Sequence, residues 1–449
     1  MNVKVAKFGG TSMANAKTIR RVASIIDKDP LRAFIVVSAP GKRSKEDIKV
    51  TDLLIILADE ILKEGTATKY QPVIDRFMEI ATGLHIVKEM RAKLDETLVK
   101  MMEVKTREFI VSRGEYLAAF LLATYLEYEF MDSAEIIRFK RLAVDYKETE
   151  KIARRALKHK MNVVLGGFYG ATASGDIRLL TRGGSDVSGA LIAGAINAKV
   201  YENWTDVDGF LVTDPKIVVN PRLIESMTYK ELRVLSFMGA NILHSDTFFP
   251  VAKKGIPINV RNTFNLKCKG TMIYASAPYR THSGPVTGIA GLKDFTLVVV
   301  EKELLSEMVG IDRKILAIPE KLDINVEHFP SGTDTFSMLI ESRYLTEGKL
   351  DELVAQLKKT IKPDFMEVTE KIALISIIGR HLMANNFNML RLFTALVNDN
   401  ITIKMIDYGS SSGVNIVVGV NEEDYEYAII AIYKEFVEDE EKEAWRVFL

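Results

Sequence analysis

The sequence is poor in cysteine, has no long apolar run and carries no net charge, and each shortage argues against a class of protein. Its 449 residues include one cysteine, Cys268, so no disulfide can form within the chain, as suits a reducing cytoplasm. Lysine plus arginine equals aspartate plus glutamate at 60 each, so no net field favours nucleic acid or an anionic membrane. No apolar run approaches the roughly 20 residues of a membrane helix, and a strand predicted at residues 3–8 leaves no room for a signal peptide. We therefore expect a cytoplasmic protein with neither a nucleic-acid nor a membrane partner.

Common nucleotide-binding and metal-binding patterns are also missing. The chain has no Walker A pattern, no GxGxxG fingerprint and no HRD or DFG triplet of the protein kinases. Its six histidines never pair at the spacing of metal ligands, so a histidine metal site is not expected. Any phosphate binding must therefore use other machinery.

The first 285 residues alternate short apolar runs with amphipathic helical patterns. The runs are rich in valine, isoleucine and aromatic residues, as are strands buried on both faces of a parallel sheet. They lie at residues 3–8, 33–38, 163–168, 200–204 and 256–261. This alternation predicts an α/β fold, a three-layer αβα sandwich with a mostly parallel sheet, in which ligands bind at the carboxyl ends of the strands.

The character of the chain changes after Gly270. Proline and glycine residues between 278 and 291 indicate a linker, and two similar series of strands and helices follow it. The first series includes strands predicted at 324–329 and 335–340. Each series reads as a βαββαβ, ferredoxin-like unit. We therefore expect a domain at 1–285 and smaller units at 292–370 and 371–449, which could interleave.

Three segments, far apart in the chain, join charged residues to glycine. They are KFGGTS at 7–12, SRGE at 112–115 and RGGSD at 182–186. Glycines let backbone N–H groups approach a phosphate closely, and the lysine and arginines supply positive charge. Together the segments predict a phosphoryl-transfer site for a small amino-acid substrate.

Each segment also has a structural interpretation. The paired glycines of KFGGTS could form an ordinary tight turn, although Thr11 and Ser12 are predicted to begin a helix that favours phosphate. In SRGE, Ser112 could be an N-cap with Glu115 completing a capping box. Helix capping alone would not explain Arg182 and the two glycines that follow it, since arginine offers a bidentate fork for a carboxylate.

Two further segments are rich in turn-forming residues. The first, WTDVDG at 204–209 running to TDPK at 213–216, is either a loop or a nucleotide-binding segment, with Lys216 on a phosphate and Asp206 near the ribose or adenine. The second leaves a predicted strand through residues 37–41 and reaches Thr51 and Asp52 at the start of a helix.

The combination of KFGGTS, SRGE, RGGSD, WTDVDG and TDP closely resembles the aspartate kinase family over essentially the whole chain, because the two C-terminal units resemble its paired ACT domains. KFGGTS and RGGSD together are specific, whereas each alone would indicate the wider amino-acid kinase superfamily. The resemblance implies ATP-dependent phosphorylation of the β-carboxylate of L-aspartate to 4-phospho-L-aspartate. This is the first step of lysine, threonine and methionine biosynthesis. It further implies ATP and Mg²⁺, with the metal entering on ATP rather than on ligands of the protein alone.

The same resemblance implies the roles of individual residues. Lys7 and Asp186 are the expected catalytic residues. The expected aspartate-binding residues are Thr51, Glu115, Arg182, Gly183, Gly184 and Ser185. The expected ATP-binding residues are Lys7, Phe8, Gly9, Gly10, Thr205, Asp206, Leu211, Lys216, Asn241 and Ile242. Three of these depart from the family pattern, since Lys216 replaces an arginine, Leu211 an aromatic residue and Asn241 a lysine.

The ACT-like units imply feedback control by an amino acid. The expected effector residues are Met308, Asn325, Val326, Glu327 and Ser331. Glu327 could accept the side-chain ammonium of lysine, which makes lysine the first choice of inhibitor, with threonine, or both amino acids together, as the alternatives. Glu327 could also be an exposed charge at a strand end. ACT domains pair across subunits, so the resemblance implies a homodimer or a dimer of dimers.

Two other functions stay open at this point. One is another kinase of the superfamily. The other is a catalytically degenerate amino-acid sensor acting through its ACT pair, which Asn241 and Leu211 favour. The presence of Lys7, Glu115, Arg182 and Asp186 argues against the sensor.

Overall fold

The computed structural model describes residues 2–181, 183–239, 245–276, 284–346, 348–380, 382, 387–408 and 414–438, called the described residues below. The chain divides into two compact units. The first comprises residues 1–210, 223–233 and 242–282, and the second comprises residues 211–222, 234–241 and 283–449.

The first unit is built on a mostly parallel sheet. The strands of this unit are β1 (Lys4–Phe8), β2 (Arg32–Val37), β3 (Glu129–Met131), β4 (Arg138–Lys140), β5 (Ala143–Val144), β6 (Val163–Gly166), β7 (Tyr169–Thr172), β8 (Ile177–Leu179), β9 (Val200–Thr205), β10 (Ser226–Thr228), β11 (Ile258–Asn262) and β12 (Thr271–Tyr274). Among the described residues, eight of them form one sheet in the order β10-β12-β11-β9-β1-β2-β6-β3. A smaller sheet has the order β5-β4-β7-β8.

The centre of the large sheet confirms the sequence prediction. Each of the five predicted apolar runs contains or overlaps one of β1, β2, β6, β9 and β11. The strand β2 is buried along its whole length, as expected for a strand covered on both faces. Because β1 pairs in parallel with β2 and β9, and β2 in parallel with β6, their carboxyl ends meet at one edge. The segments that follow these strands are therefore brought together there.

The helices supply the other layers of the fold. They are α1 (Ala16–Asp27), α2 (Val50–Glu64), α3 (Gln71–Leu84), α4 (Val87–Val104), α5 (Arg107–Leu126), α6 (Tyr146–Leu157), α7 (Gly184–Ile196), α8 (Tyr229–Phe237) and α9 (Ser245–Ala252). The apolar faces of α1 to α5 pack into the main core with β1 and β2. The predicted α/β sandwich is thus confirmed.

The helix α5 differs from its prediction in two ways. Among the described residues it is the one helix long and apolar enough to cross a membrane, but 78% of its apolar window is buried inside the protein. It begins at Arg107, so Ser112 and Glu115 lie inside it and the predicted N-cap at Ser112 is wrong. The hydroxyl of Ser112 instead donates to the carbonyl of Phe109 at 2.6 Å. Arg113 of this segment lies over the rings of Phe109, Tyr116 and Tyr169. Glu115 lines the pocket that is described below.

The second unit contains one antiparallel sheet with helices packed against it. Its strands are β13 (Gly288–Glu301), β14 (Thr335–Glu341), β15 (Phe365–Ile378), β16 (Ile403–Tyr408) and β17 (Asn415–Asn421), in the order β14-β13-β15-β17-β16. Its helices are α10 (Ile311–Lys321), α11 (Lys349–Ile361), α12 (Phe387–Asn398) and α13 (Tyr425–Tyr433).

The long strands β13 and β15 pair with each other and join the two predicted repeats in one sheet. One edge of β13, at residues 295–301, pairs with β14. The other edge pairs with β15, and there residues 288–292 lie opposite residues 374–378. The latter residues of β15 in turn pair with β17. The two repeats therefore share one continuous sheet, and the boundary predicted between residues 370 and 371 falls inside β15. The domain boundaries themselves stay a prediction.

One predicted strand of the second unit is wrong. Residues 324–329 form no strand; His328 makes only an isolated bridge to Leu339. The N–H of Ile324 donates to the carbonyl of Pro319 at the end of α10, which keeps this part of the segment turned back on the helix. Asp323 precedes it with a φ of 55°, which also interrupts extended structure.

Candidate active site

A pocket of about 410 Å³ lies at the carboxyl edge of the large sheet, within the first unit. It collects seven of the residues predicted from sequence, drawn from four separate segments. These are Lys7, Thr51, Glu115, Gly183, Gly184, Ser185 and Asp186. Five other residues line it without having been predicted as site residues, namely Ser38, Lys49, Asp52, Phe168 and Thr181.

The two predicted catalytic residues form an ion pair. Lys7 is at the end of β1 and is 7% exposed, and its Nζ lies 2.6 Å from Oδ1 of Asp186. Asp186 is in the first turn of α7. Its main-chain carbonyl accepts a hydrogen bond from the hydroxyl of Tyr201 at 2.9 Å. A lysine and an acid from distant segments are thus held side by side at the pocket.

Asn203 also holds Asp186 and was missed in the sequence. Its Nδ2 donates to the same Oδ1 of Asp186 at 3.1 Å. It lies in β9 directly beside Lys7 of β1, is buried, and its Oδ1 has no hydrogen-bond partner among the described residues. The signal that could have revealed it is the polar pair Glu202 and Asn203 inside a strand that is otherwise apolar.

The glycine turn after β1 packs against the segment after β2. The N–H of Gly9 donates to the carbonyl of Trp204, and the N–H of Gly41 donates to the carbonyl of Gly10 at 2.9 Å. A Cβ on Gly41 would lie 2.7 Å from the carbonyl carbon of Gly10, so only glycine fits there. KFGGTS opens a 3-10 turn, Gly10–Met13, rather than the predicted helix, because α1 begins later at Ala16 with Asn15 as its cap.

Glu115 is a buried carboxyl group facing the pocket. It is 5% exposed, and its Oε2 has no hydrogen-bond partner among the described residues. Burial raises the pKa of Glu115 to about 8, although the N–H of Ala39 donates to the carboxylate and the charges of Arg113 and Lys7 oppose the rise. Such a group is suited to receive a cation, which would supply the missing partner and favour the ionised form.

The RGGSD segment forms another side of the pocket. Arg182 lies outside the described residues. Gly183 has a φ of 72°, which glycine adopts without strain, and it precedes α7. A Cβ on Gly184 would lie 2.7 Å from the ring of Phe168. The small residues therefore bring the start of α7 close to the pocket, where its free N–H groups favour a negative group.

The predicted ATP-binding residues are distributed over both units. In the first, the carboxylate of Asp206 accepts hydrogen bonds from Thr11 at 3.0 Å and Thr205 at 3.3 Å, next to the glycine turn. In the second, Leu211 is half-buried and Lys216 is exposed. Asn241 and Ile242 lie outside the described residues. No group of three or more His, Cys, Asp or Glu side chains among the described residues could hold a metal ion.

The predicted effector residues all lie in the second unit. Nδ2 of Asn325 donates to Oε2 of Glu327 at 3.4 Å, and Ser331 makes an isolated bridge to Phe336. Met308 is partly exposed and Val326 is half-buried. Glu327 is also half-buried, in a segment that is not a strand, so it is not an exposed charge at a strand end.

Comparison with known proteins gives a consistent result over nearly the whole chain. The profile of the amino acid kinase family matches residues 2–262, and that of an ACT domain matches residues 375–436. Aspartokinase 3 of Bacillus subtilis is 31% identical, over 97% of this chain and 98% of its own length.

Solved structures agree with the sequence matches. The crystal structure of Clostridium acetobutylicum aspartate kinase is 40% identical with a TM-score of 0.86, covering 97% of this chain and 100% of that one. The structure of E. coli aspartokinase III in complex with aspartate and ADP is 24% identical with a TM-score of 0.69, covering 97% and 99%. At that identity the second likeness shows the fold.

Proposed function

This chain belongs to the amino acid kinase family and to its aspartate kinases, and we propose that its pocket binds L-aspartate for phosphorylation by ATP. The observation that carries the proposal is the meeting of the Lys7–Asp186 pair with the buried, half-satisfied carboxyl of Glu115 beside a glycine turn. A zwitterionic substrate needs groups of both signs, and a nucleotide needs a close approach to backbone N–H groups.

The substrate's two ends are held by different parts of the pocket. Glu115 accepts a hydrogen bond from the α-ammonium group, which gives Oε2 the partner that it lacks among the described residues. On the family resemblance we assign the α-carboxylate to Arg182, whose guanidinium can form a bidentate fork. Thr51, Ser185 and the glycines beside it orient the remaining carboxylate, since they line the same pocket.

The chemistry needs alignment and positive charge more than a base. The β-carboxylate is already an anion, so one of its oxygens attacks the γ-phosphorus directly. The bond to the β–γ bridging oxygen breaks, and ADP leaves with the electron pair. The difficulty is the approach of two anions, which Lys7 offsets with its ammonium. Asp186 holds this ammonium in place, and Asn203 in turn donates to Asp186. Mg²⁺, when bound together with ATP, would neutralise part of the phosphate charge.

The second unit gives the enzyme its regulation. We place an amino-acid effector, lysine before threonine, at Met308, Asn325, Val326, Glu327 and Ser331. The half-buried carboxylate of Glu327 supports lysine, because it offers a partner to a side-chain ammonium. The two ACT-like units, divided from the kinase domain near residue 285, would join copies of the chain into a homodimer or a dimer of dimers. We place the enzyme in the cytoplasm, in agreement with its single cysteine.

A direct assay tests the function. ATP-dependent acyl phosphate would be trapped with hydroxylamine, using L-aspartate, L-glutamate and N-acetylglutamate, each with and without lysine and threonine. Turnover of aspartate alone, suppressed by lysine, would support both the kinase site and the effector. Turnover of another substrate would indicate a different kinase of the superfamily. No turnover, with lysine still binding, would indicate a degenerate sensor.

A further inference from the structure

A buried arginine on α3 holds the loop between β2 and α2 at three points. Arg76 is 4% exposed, and its Nη1 donates to the carbonyl of Gly41 at 2.9 Å. Its Nη2 donates to both carboxylate oxygens of Asp47, each at 2.6 Å, and lies 3.2 Å from the carbonyl of Ile48. One rigid guanidinium therefore sets the path of the loop at residues 38–49, called the β2–α2 loop below.

The first half of this loop reaches two parts of the active site. The N–H of Ala39 donates to the carboxylate of Glu115. Gly41 donates to the carbonyl of Gly10 and packs on it without room for a side chain. Because Arg76 holds the carbonyl of Gly41, it also fixes the peptide that rests on the glycine turn.

The second half of the loop leads into the wall of the substrate pocket. Lys49, Thr51 and Asp52 all line that pocket, directly after Ile48. The N–H of Val50 donates to the carbonyl of Pro40 at 3.1 Å, which ties the end of the loop to its beginning. A displacement of the loop would therefore move both the Glu115 partner and the Thr51 side of the pocket.

A second arginine contacts the same aspartate from the solvent side. Nε of Arg43 donates to Asp47 at 2.9 Å, and Arg43 also bonds to Glu79. The hydrogen bond from Arg43, followed by the charge of Arg76, holds the pKa of Asp47 well below its usual range. The side chain of Arg43 is 39% exposed whereas that of Arg76 is 3% exposed, so the chain offers a matched pair of arginines on one carboxylate.

We infer that Arg76 is a positioning residue for aspartate binding, which it supports by keeping the β2–α2 loop in the conformation that completes the pocket. Arg76 touches no substrate; it acts through Gly41, Asp47 and Ile48. When a binding-competent conformation is populated only in part, apparent affinity falls by that fraction. Loss of Arg76 should therefore weaken substrate binding, while saturating substrate restores the loop and much of the turnover.

The inference rests on the proposed site, and the test is a comparison of three variants of the full chain. Arg76→Met removes the three contacts, Asp47→Asn weakens the one to Asp47 while keeping its shape, and Arg43→Ala is the control. If the loop is competent in about 1–10% of molecules, Arg76→Met raises the KM for aspartate by roughly 10–100-fold and lowers kcat by less than about 3-fold. Asp47→Asn should raise KM in the same direction, and the double variant should show less than the product of the two effects. Arg43→Ala should leave KM within about twofold of the unmodified protein.

Hydrogen exchange would localise the effect. Arg76→Met should speed exchange in peptides covering residues 38–50 while leaving β1 and β2 protected.

An unchanged KM with a lowered melting temperature would overturn the inference, because a purely structural arginine would give that result. Equal effects of Arg76→Met and Arg43→Ala on KM would also overturn it. Both arginines pair with Asp47, so equal effects would show that loss of either ion pair, and not the loop contacts of Arg76, raises KM. If Arg76→Met fails to fold, Asp47→Asn decides the question by the same split of KM and kcat. Absence of aspartate turnover in the unmodified protein would instead refute the proposed function.

Discussion

Binding of aspartate should release a proton from Glu115 at neutral pH. In the empty pocket, burial raises the pKa of Glu115 from its ordinary 4.5 to about 8. The substrate's ammonium group needs the ionised carboxylate, so it binds only the deprotonated fraction. With a pKa of about 8, roughly 0.9 of the carboxyl groups are protonated at pH 7 and must lose their proton on binding.

The size of the effect follows from this fraction. Below pH 8, each unit by which the pH falls should raise the KM for aspartate by up to about tenfold, so the KM at pH 6 should be roughly 50-fold higher than at pH 8. The stability of the empty protein depends on pH in the opposite direction from substrate binding, because it falls as the pH rises. The folded state binds the Glu115 proton more tightly than the unfolded state, so this group lowers the free energy of unfolding as pH rises from its ordinary pKa to about 8.

Calorimetry can count the proton directly. Aspartate would be titrated into the protein at pH 7 in two buffers of different ionisation enthalpy, and the difference in heat gives the number of protons released. The Glu115→Gln variant is the control, because its amide has nearly the same shape and no titration. In this variant we expect proton release to disappear and the KM to rise on the order of 10²-fold, with no dependence on pH from this group. No proton release by the unmodified protein, or release that persists in Glu115→Gln, would refute the assignment.

Four further changes test the rest of the site. Lys7→Ala should lower kcat by roughly 10²–10³-fold, as for the loss of one preorganised charge, and steady-state turnover within a few-fold of normal would contradict that role. Arg182→Lys should strongly raise the KM for aspartate, because a point charge cannot form the fork; an unaltered KM would make Arg182 structural. Gly41→Ala places a methyl group 2.7 Å from the carbonyl carbon of Gly10, so kcat/KM for ATP should fall about tenfold or more, and normal ATP kinetics would show that this contact is unimportant. Glu327→Ala should raise the lysine concentration for half-inhibition about tenfold, and the same inhibition curve would move the effector elsewhere.

The local parts of this protein could be read from its sequence. The apolar runs near residues 3–8 and 33–38 became β1 and β2, because an uninterrupted run of branched and aromatic residues satisfies a strand buried on both faces. Lys7 and Asp186 were identified because each stands in a short glycine-containing segment, KFGGTS or RGGSD, that resembles the aspartate kinase family. Apolar runs and short motifs can be recognised without knowledge of the fold, because they depend only on residues that are neighbours in the chain.

Other features could not be found in this way. The SRGE segment has the residues of a helix cap, yet it lies inside α5, because the helix already begins at Arg107. Asn203 acquires its contact with Asp186 only through the parallel pairing of β1 with β9. Arg76 stands in no motif, and its three contacts depend on the packing of α3 against a loop that begins 38 residues earlier.

The sequence by itself determined which chemical groups this enzyme has, the alternation that makes an α/β fold, and the family to which the pattern belongs. Tertiary structure decided how those groups behave. The carboxyl of Glu115 has an ordinary pKa in any extended peptide, and only its burial in the core, with one oxygen left without a partner, raises that pKa to about 8. The reason is that desolvation and charge pairing depend on atoms brought near by the fold, most of which are distant in the chain.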